Sequence, residues 1–381
     1  MQTFEQLLDY RVLTASYRDT PAIGDFHFSN KYFTNVRDVP TDEWELINFG
    51  PANQPLPINS RGASANTMTP QGGTKRIGNM FVGYDRTPLD VTVLQALREE
   101  ESFALQQKGA ATVAAVQEEF IQRARVRKEA IIASIMAYGQ VGFDANGNVI
   151  IPTVDSLSGT LTAGSGAVIT ADFTVADGHR GNLTSAGTAI SNMWSNSDAK
   201  IVDQLEQIRY NASVAGVPRP TEITVNELSK KHLRDNAQFK EWAKESNVAP
   251  DTILRGEMIQ GLWGFDWHFV GGTYTDVNGT TVDLVPQTHA IIAPPVGPWL
   301  RAVNGLTLVP TSLDTQTDVG AALAALTDVY GEYSYAKLDH NPATLYLYGG
   351  DAFGMAFANP NSVWMPNVFE TDDGSSQSGT G

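Results

Sequence analysis

The chain contains no cysteine among its 381 residues. That excludes a disulfide framework, an iron–sulfur cluster, a zinc–thiolate site and a thiolate nucleophile. Positive charge is scarce too: 26 Lys and Arg face 42 Asp and Glu, a net charge of −16. Such a balance argues against a surface built to grip nucleic acid, which needs clustered Lys and Arg. Long apolar runs are missing. Residues 130–137 are interrupted by Ser134 and far too few to span a bilayer. Residues 1–14 lack the basic-then-apolar pattern of a signal peptide, so a soluble protein made in a cytoplasm is expected.

Motifs of chemistry are equally absent. There is no glycine-rich phosphate loop and no serine in a nucleophile elbow. His27, His179, His232, His268, His289 and His340 are scattered, with no metal-ligand spacing. Asp266 and His268 share one face of a predicted strand, which reads as a structural hydrogen bond. Asp144, Asn146, Asn148 and Asp155 mimic a calcium loop, but Val149 replaces its glycine and an Asp its final Glu, so a hairpin turn is the better reading. No catalytic, cofactor-binding or metal-binding residue is assigned, no cofactor is expected, and the chain is not read as an enzyme.

What is present is organised along the chain. At 42% hydrophobic residues the composition is that of a folded protein, long enough for two or three domains. Residues 1–44 carry aromatics without a sustained period: Phe4, Tyr10, Tyr17, Phe26, Phe28, Tyr32, Phe33 and Trp44. They read as a mostly extended arm with a short helix near Leu7 and Leu8. Its rings are buried against another chain or within an ordinary N-terminal subdomain. Residues 45–87 read as a long β loop, strands around a stretch rich in Pro, Gly, Asn, Ser and Thr. The loop opposes the overall charge, with Arg61, Lys75, Arg76 and Arg86, which predicts docking to an acidic surface such as Glu99, Glu100 and Glu101 of a neighbour.

Thr87, Pro88 and Asp90 read as a helix start, followed by helical composition to Tyr138 and a stop at Gly139. The apolar stripe includes Val113, Val116, Phe120, Ala124, Ile131 and Ile135. The opposite face carries Gln117, Glu118, Arg125, Lys128 and Glu129. Gly109 marks the place for a break. Such a helix would be roughly 75 Å long, which predicts an elongated subunit suited to assembly. A hairpin follows over residues 143–151. Residues 156–198 are rich in Ser, Thr and Gly and read as an insertion. Predicted beyond it are a helix over 197–215, a strand at 222–225 with Asn226 as cap, strands at 263–270, 280–285 and 289–293, and closing strands at 343–348 and 353–357. Residues 370–381 read as a disordered tail.

This order resembles the major capsid proteins of tailed bacteriophages, most closely the lambda-like family called capsid protein E. Three stretches carry the resemblance: residues 26–34 (FHFSNKYFT), residues 60–70 (SRGASANTMTP) and residues 358–363 (ANPNSV). It implies an α+β, HK-type fold: an N-terminal arm (1–44), an extended β loop (45–87), and a peripheral domain with spine helix and hairpin (88–155). The insertion (156–198), a mainly axial domain (199–335), closing peripheral strands (336–369) and the tail complete it. It further implies an icosahedral virion capsid around double-stranded DNA, built from pentamers and hexamers and assembled in the host cytoplasm. Scaffold, portal and decoration proteins would be partners, with no sequence-specific DNA binding and no membrane. An encapsulin-like compartment, a paired-carboxylate hydrolase and a β-rich tail component are the alternatives.

Overall fold

The computed structural model describes residues 8–20, 26–41, 43–49, 73–89, 103–154, 159–181, 193–246, 249–275, 279–311, 326–340 and 343–369. The chain divides into two compact units, one of residues 1–44, 77–129 and 301–356, the other of 45–76, 130–300 and 357–381.

In the first unit the arm is helical where an extended chain was expected. Helix α1 (Tyr10–Asp19) starts at Asp9, whose carboxylate accepts a hydrogen bond from the Arg11 N–H at 2.8 Å. Helix α2 (His27–Tyr32) follows. Tyr17, Phe28 and Tyr32 are buried in the chain's own fold, so these rings do not await a neighbour. Leu13 and Tyr17, one turn apart on α1, pack with Val113, Phe120 and Ile121 of helix α3 (Phe103–Tyr138) and with Leu345 and Leu347.

Helix α3 is 36 residues long, roughly 54 Å, and runs through Gly109 without a break. The expected start at Thr87 and Pro88 is wrong. Both lie in the strand Phe81–Pro88, opposite Leu347 and Tyr346 of the strand Ala343–Phe357. A sequence that suits a helix cap is overridden by cross-strand pairing, and Pro88 is tolerated because it ends its strand. Asp90 lies outside the described residues.

The unit's sheet has six strands. Arg37–Val39, Leu300–Pro310, Ala343–Phe357 and Tyr333–His340 follow one another, with Leu326–Tyr330 on Leu300–Pro310 and Phe81–Pro88 on Ala343–Phe357. Arg37–Val39 pairs parallel to Leu300–Pro310, whereas Leu326–Tyr330 runs antiparallel to Leu300–Pro310, and Tyr333–His340 and Phe81–Pro88 run antiparallel to Ala343–Phe357. Residues 301–335 thus fall with the first unit. The two closing strands expected at 343–348 and 353–357 are one continuous strand. Gly349 lies directly beneath Phe120 and Tyr17, where a Cβ would sit 2.8–3.0 Å from their atoms.

The second unit is built on a four-stranded sheet in the order Met258–Leu262, Phe265–Val270, Glu222–Asn226, Ala290–Ala293. The two central strands are parallel, which requires the helical crossover between them. Helix α4 (Ile201–Val214) buries Ile201, Leu205, Ile208 and Ala212 against this sheet's Ile223, Val225 and Trp267. Asn226 caps the turn that follows, accepting from the Leu228 N–H at 3.0 Å. The hairpin over 143–149 is as expected, with Gly147 at φ 82° in its turn. Asp144 accepts from the Asn146 and Asn148 N–H groups, so the calcium-like spacing is used as turn chemistry. Asp266 likewise accepts from the Gly261 N–H.

Residues expected to be a mere insertion contribute to this core. Ile169–Asp172 pairs with Gln140–Phe143, and Trp194 is fully buried among Trp267, Val368 and Phe369. Among the described residues no helix is long and apolar enough to cross a membrane.

Candidate functional site

Of the residues placed on the outer face of the long helix, Glu118 is exposed as expected and Arg125 is half-buried, while three turn inward. Gln117, Lys128 and Glu129 are all buried. One face of α3 in the first unit stays in solvent through Glu118, Glu119 and Arg123, while the buried polar residues tether it to other elements.

Gln117 donates to the Leu13 carbonyl and to the Ser334 hydroxyl, both at 3.2 Å. Ser334 in turn donates through its N–H to Thr14 Oγ1, and Thr14 donates back to the Ser334 carbonyl at 2.9 Å. Two turns along, Arg125 donates to the carbonyls of Thr20 (2.7 Å) and Arg18 (3.4 Å) and pairs with Glu332 at 3.4 Å. A cation thereby sits at the C-terminal end of α1, where unsatisfied carbonyls favour it. Glu129 does the opposite at α2. Its carboxylate accepts from the N–H groups of Phe28 (2.6 Å) and Ser29 (2.7 Å) and from the Ser29 hydroxyl (2.5 Å). The residue preceding α2 is Phe26, which offers no side-chain cap, so the cap comes from a carboxylate a hundred residues away.

Between these two tethers, Arg127 pairs with Asp351, whose side chain is buried on the sheet. Burial pushes the Arg127 pKa down, with nearby Asp85 opposing the shift. The guanidinium occupies the space where a Cβ of Gly83 would project, so any side chain at that position displaces it. Lys128 rests on aromatic rings, 3.6 Å from the Phe33 centroid and 5.2 Å from that of Phe353.

The second unit has its own seam, at residues 363–369. Ile292 and Trp364 exchange backbone hydrogen bonds at 2.8 and 2.9 Å, and Ala290 donates to the Pro366 carbonyl. The Val368 and Phe369 N–H groups both reach the Thr288 carbonyl. Three histidines surround this strap. His179 stacks on Trp364 at 4.8 Å and bonds the Val363 carbonyl through Nδ1 at 2.9 Å. His232 stacks on Phe369 at 5.4 Å. His289 is buried beside Tyr138, with Nδ1 2.7 Å from the Thr288 hydroxyl and Nε2 unpaired. Burial lowers the pKa of His179 and takes that of His289 to about 4.

Of the residues expected at subunit contacts, Arg86 is exposed on the strand Phe81–Pro88, with its guanidinium 5.0 Å from the Tyr346 ring. Lys75 and Arg76 lie on the strand Gly73–Asn79, which pairs with Glu43–Phe49. Arg61 and Glu99, Glu100 and Glu101 lie outside the described residues, as does the stretch 60–70. Residues 26–34 of the resemblance hold α2, and Pro360–Ser362 is a short 3-10 turn capped by Asn359.

The fold is α+β and is the HK-type fold of tailed-phage capsid proteins. A candidate capsid protein of a prophage of E. coli CFT073 superposes with a TM-score of 0.55 at 15% identity, over 95% of this chain and 99% of that one. A phage-related protein of Bordetella bronchiseptica RB50 superposes with a TM-score of 0.50 at 10% identity, over 95% and 97%. No curated protein sequence matches the chain. Residues 151–308 match the model of the family phage major capsid protein E. The match runs through 156–198, the segment to which the sequence reading gave no counterpart.

Proposed function

We propose that this chain is the major capsid protein of a tailed, lambda-like phage. Copies assemble as pentamers and hexamers into an icosahedral shell around double-stranded DNA in the host cytoplasm. The observation that carries the reading is the capsid-family match over residues 151–308, joined to a fold shared with a phage capsid structure along almost the whole chain. The first unit then corresponds to the arm and peripheral domain, and the second supplies the axial domain. A charge of −16 suits a wall along which packaged DNA slides without adhering. Scaffold, portal and decoration proteins are its expected partners.

In this reading Arg61, Lys75, Arg76 and Arg86 dock the β loop on an acidic surface of the adjacent copy, with Glu99, Glu100 and Glu101 as its counterpart. Electron microscopy of the protein, alone and co-expressed with its neighbouring genes, should show closed isometric shells. A chain that stays monomeric in every preparation would rule the reading out, and shells filled with protein instead of DNA would move it to a compartment. Reversing Arg61 and Arg76 to Glu should reduce assembly while leaving the thermal midpoint in place.

A further inference from the structure

The seam on the long helix leaves one cation without an anion of its own. Lys128 is nine-tenths buried, yet its ammonium contacts rings and, among the described residues, makes no hydrogen bond and no ion pair. Buried ammonium groups are ordinarily paired. Glu332 is near enough to raise the Lys128 pKa, but its carboxylate is already bonded to Arg125 at 3.4 Å, so two cations share one anion. Burial outweighs Glu332 and takes the Lys128 pKa down to about 8. The ammonium is not sealed in. Two open cavities, about 610 and about 470 Å³, both reach Lys128 and Glu332. The smaller adds Asn30 and Arg125 to its wall, beside Ser29, whose N–H and hydroxyl are already given to Glu129.

We propose that Lys128 is a socket for a single carboxylate side chain carried by a second copy of this chain. The proposal rests on the shell-building reading, in which identical surfaces meet repeatedly. Charge selects the occupant. Asp38, Asp328 and Glu332 line the larger opening together with Arg11, Arg18 and Lys128, so its charges balance, whereas the smaller sets Arg125 and Lys128 against Glu332 alone and keeps one positive charge in excess. One carboxylate on a neutral stem cancels that single excess charge, whereas a polyanion backbone brings more negative charge past the balanced rim than the site can match. A second copy is a ready source, since the chain carries 42 such groups against 26 cations. Seating restores one anion per cation, and it happens only when copies meet.

The experiment compares unassembled full-length protein with purified particles. Amine labelling is followed at Lys128 by peptide mass spectrometry across pH 6 to 11. In the unassembled protein the labelling midpoint should lie near 8. In particles it should rise to about 10, the ordinary lysine value, because a paired ammonium holds its proton. A midpoint that stays near 8 in particles, whatever happens to the rate, overturns the proposal, because occlusion alone slows labelling without moving the midpoint. Inorganic phosphate and acetate are titrated into the unassembled protein in parallel. A rise with either ion, together with no rise in particles, assigns the site to free anions and also overturns it. Lys128→Met should slow particle formation at least tenfold and Lys128→Arg should restore it. Equal rates for the Met variant and the native chain count against the socket. If no particles form under any condition, the shell reading fails, while a rise with acetate still reports the cation site separately.

Discussion

Gly83 and Arg127 were unremarkable as letters. Nothing local says that a glycine in a strand must admit a guanidinium from a helix more than forty positions away. The pair is nonetheless among the most constrained contacts of the first unit, since Asp351 is buried beneath it. Gly83→Ala should expel the guanidinium and leave Asp351 a buried, uncompensated charge. The expected loss is about 3 kcal/mol in urea unfolding. The same substitution in an Asp351→Ala background should cost less, and an equal cost in both backgrounds would dismiss the coupling. Glu129→Ala should cost about 2 kcal/mol, because two N–H donors and a hydroxyl lose their acceptor. Glu129→Gln, which keeps one acceptor oxygen, should cost less. Glu129 was misjudged from sequence because a charged residue on a helix is assigned to water unless its partner is visible, and its partners lie a hundred positions away.

At the scale of elements, legibility followed locality. The long helix announces itself by period, the hairpin by Asn146 and Gly147, and the turn after Glu222–Asn226 by its Asn cap; all three are present. Helix α2 could not be read, because six residues without a local cap do not make a helix alone and the missing acceptor is Glu129. Helix α1 carried a usable signal in Asp9 that the aromatic composition obscured. The strap at 363–369 was invisible for the same reason of distance, since its histidine neighbours come from residues 179, 232 and 289. Its pH response follows from burial. His179 and His289 have folded-state pKa values below that of an exposed histidine, so the unfolded chain binds more protons between the two values. Stability from these groups is therefore complete above about pH 6.5 and falls as pH drops towards 4. Circular dichroism melts of the full chain should show the thermal midpoint falling over that window. His289→Gln should flatten the acid side of the curve; an unchanged slope would show that carboxylates alone set it.

For the whole molecule, the net charge of −16 sets the terms on which copies meet. Like-charged subunits repel over about 30 Å at 0.01 M salt but over only about 8 Å at 0.15 M. Assembly followed by light scattering should therefore accelerate as salt rises through this range. Slowing over the same range would mean that the few basic groups, and not the overall repulsion, control the encounter. The fold class was legible at this scale through the order of elements. The division into units was not, because the first unit is assembled from three separate stretches of chain.

That division bears on timing. Thr14 is bonded to Ser334 across 320 positions, and Trp194 packs against Phe369. Neither core closes locally, so a nascent chain emerging from the ribosome holds both units open until residues near 350 and 369, respectively, have cleared the exit tunnel. In the proposed assembly, competence to associate therefore belongs to chains whose translation has passed residue 369.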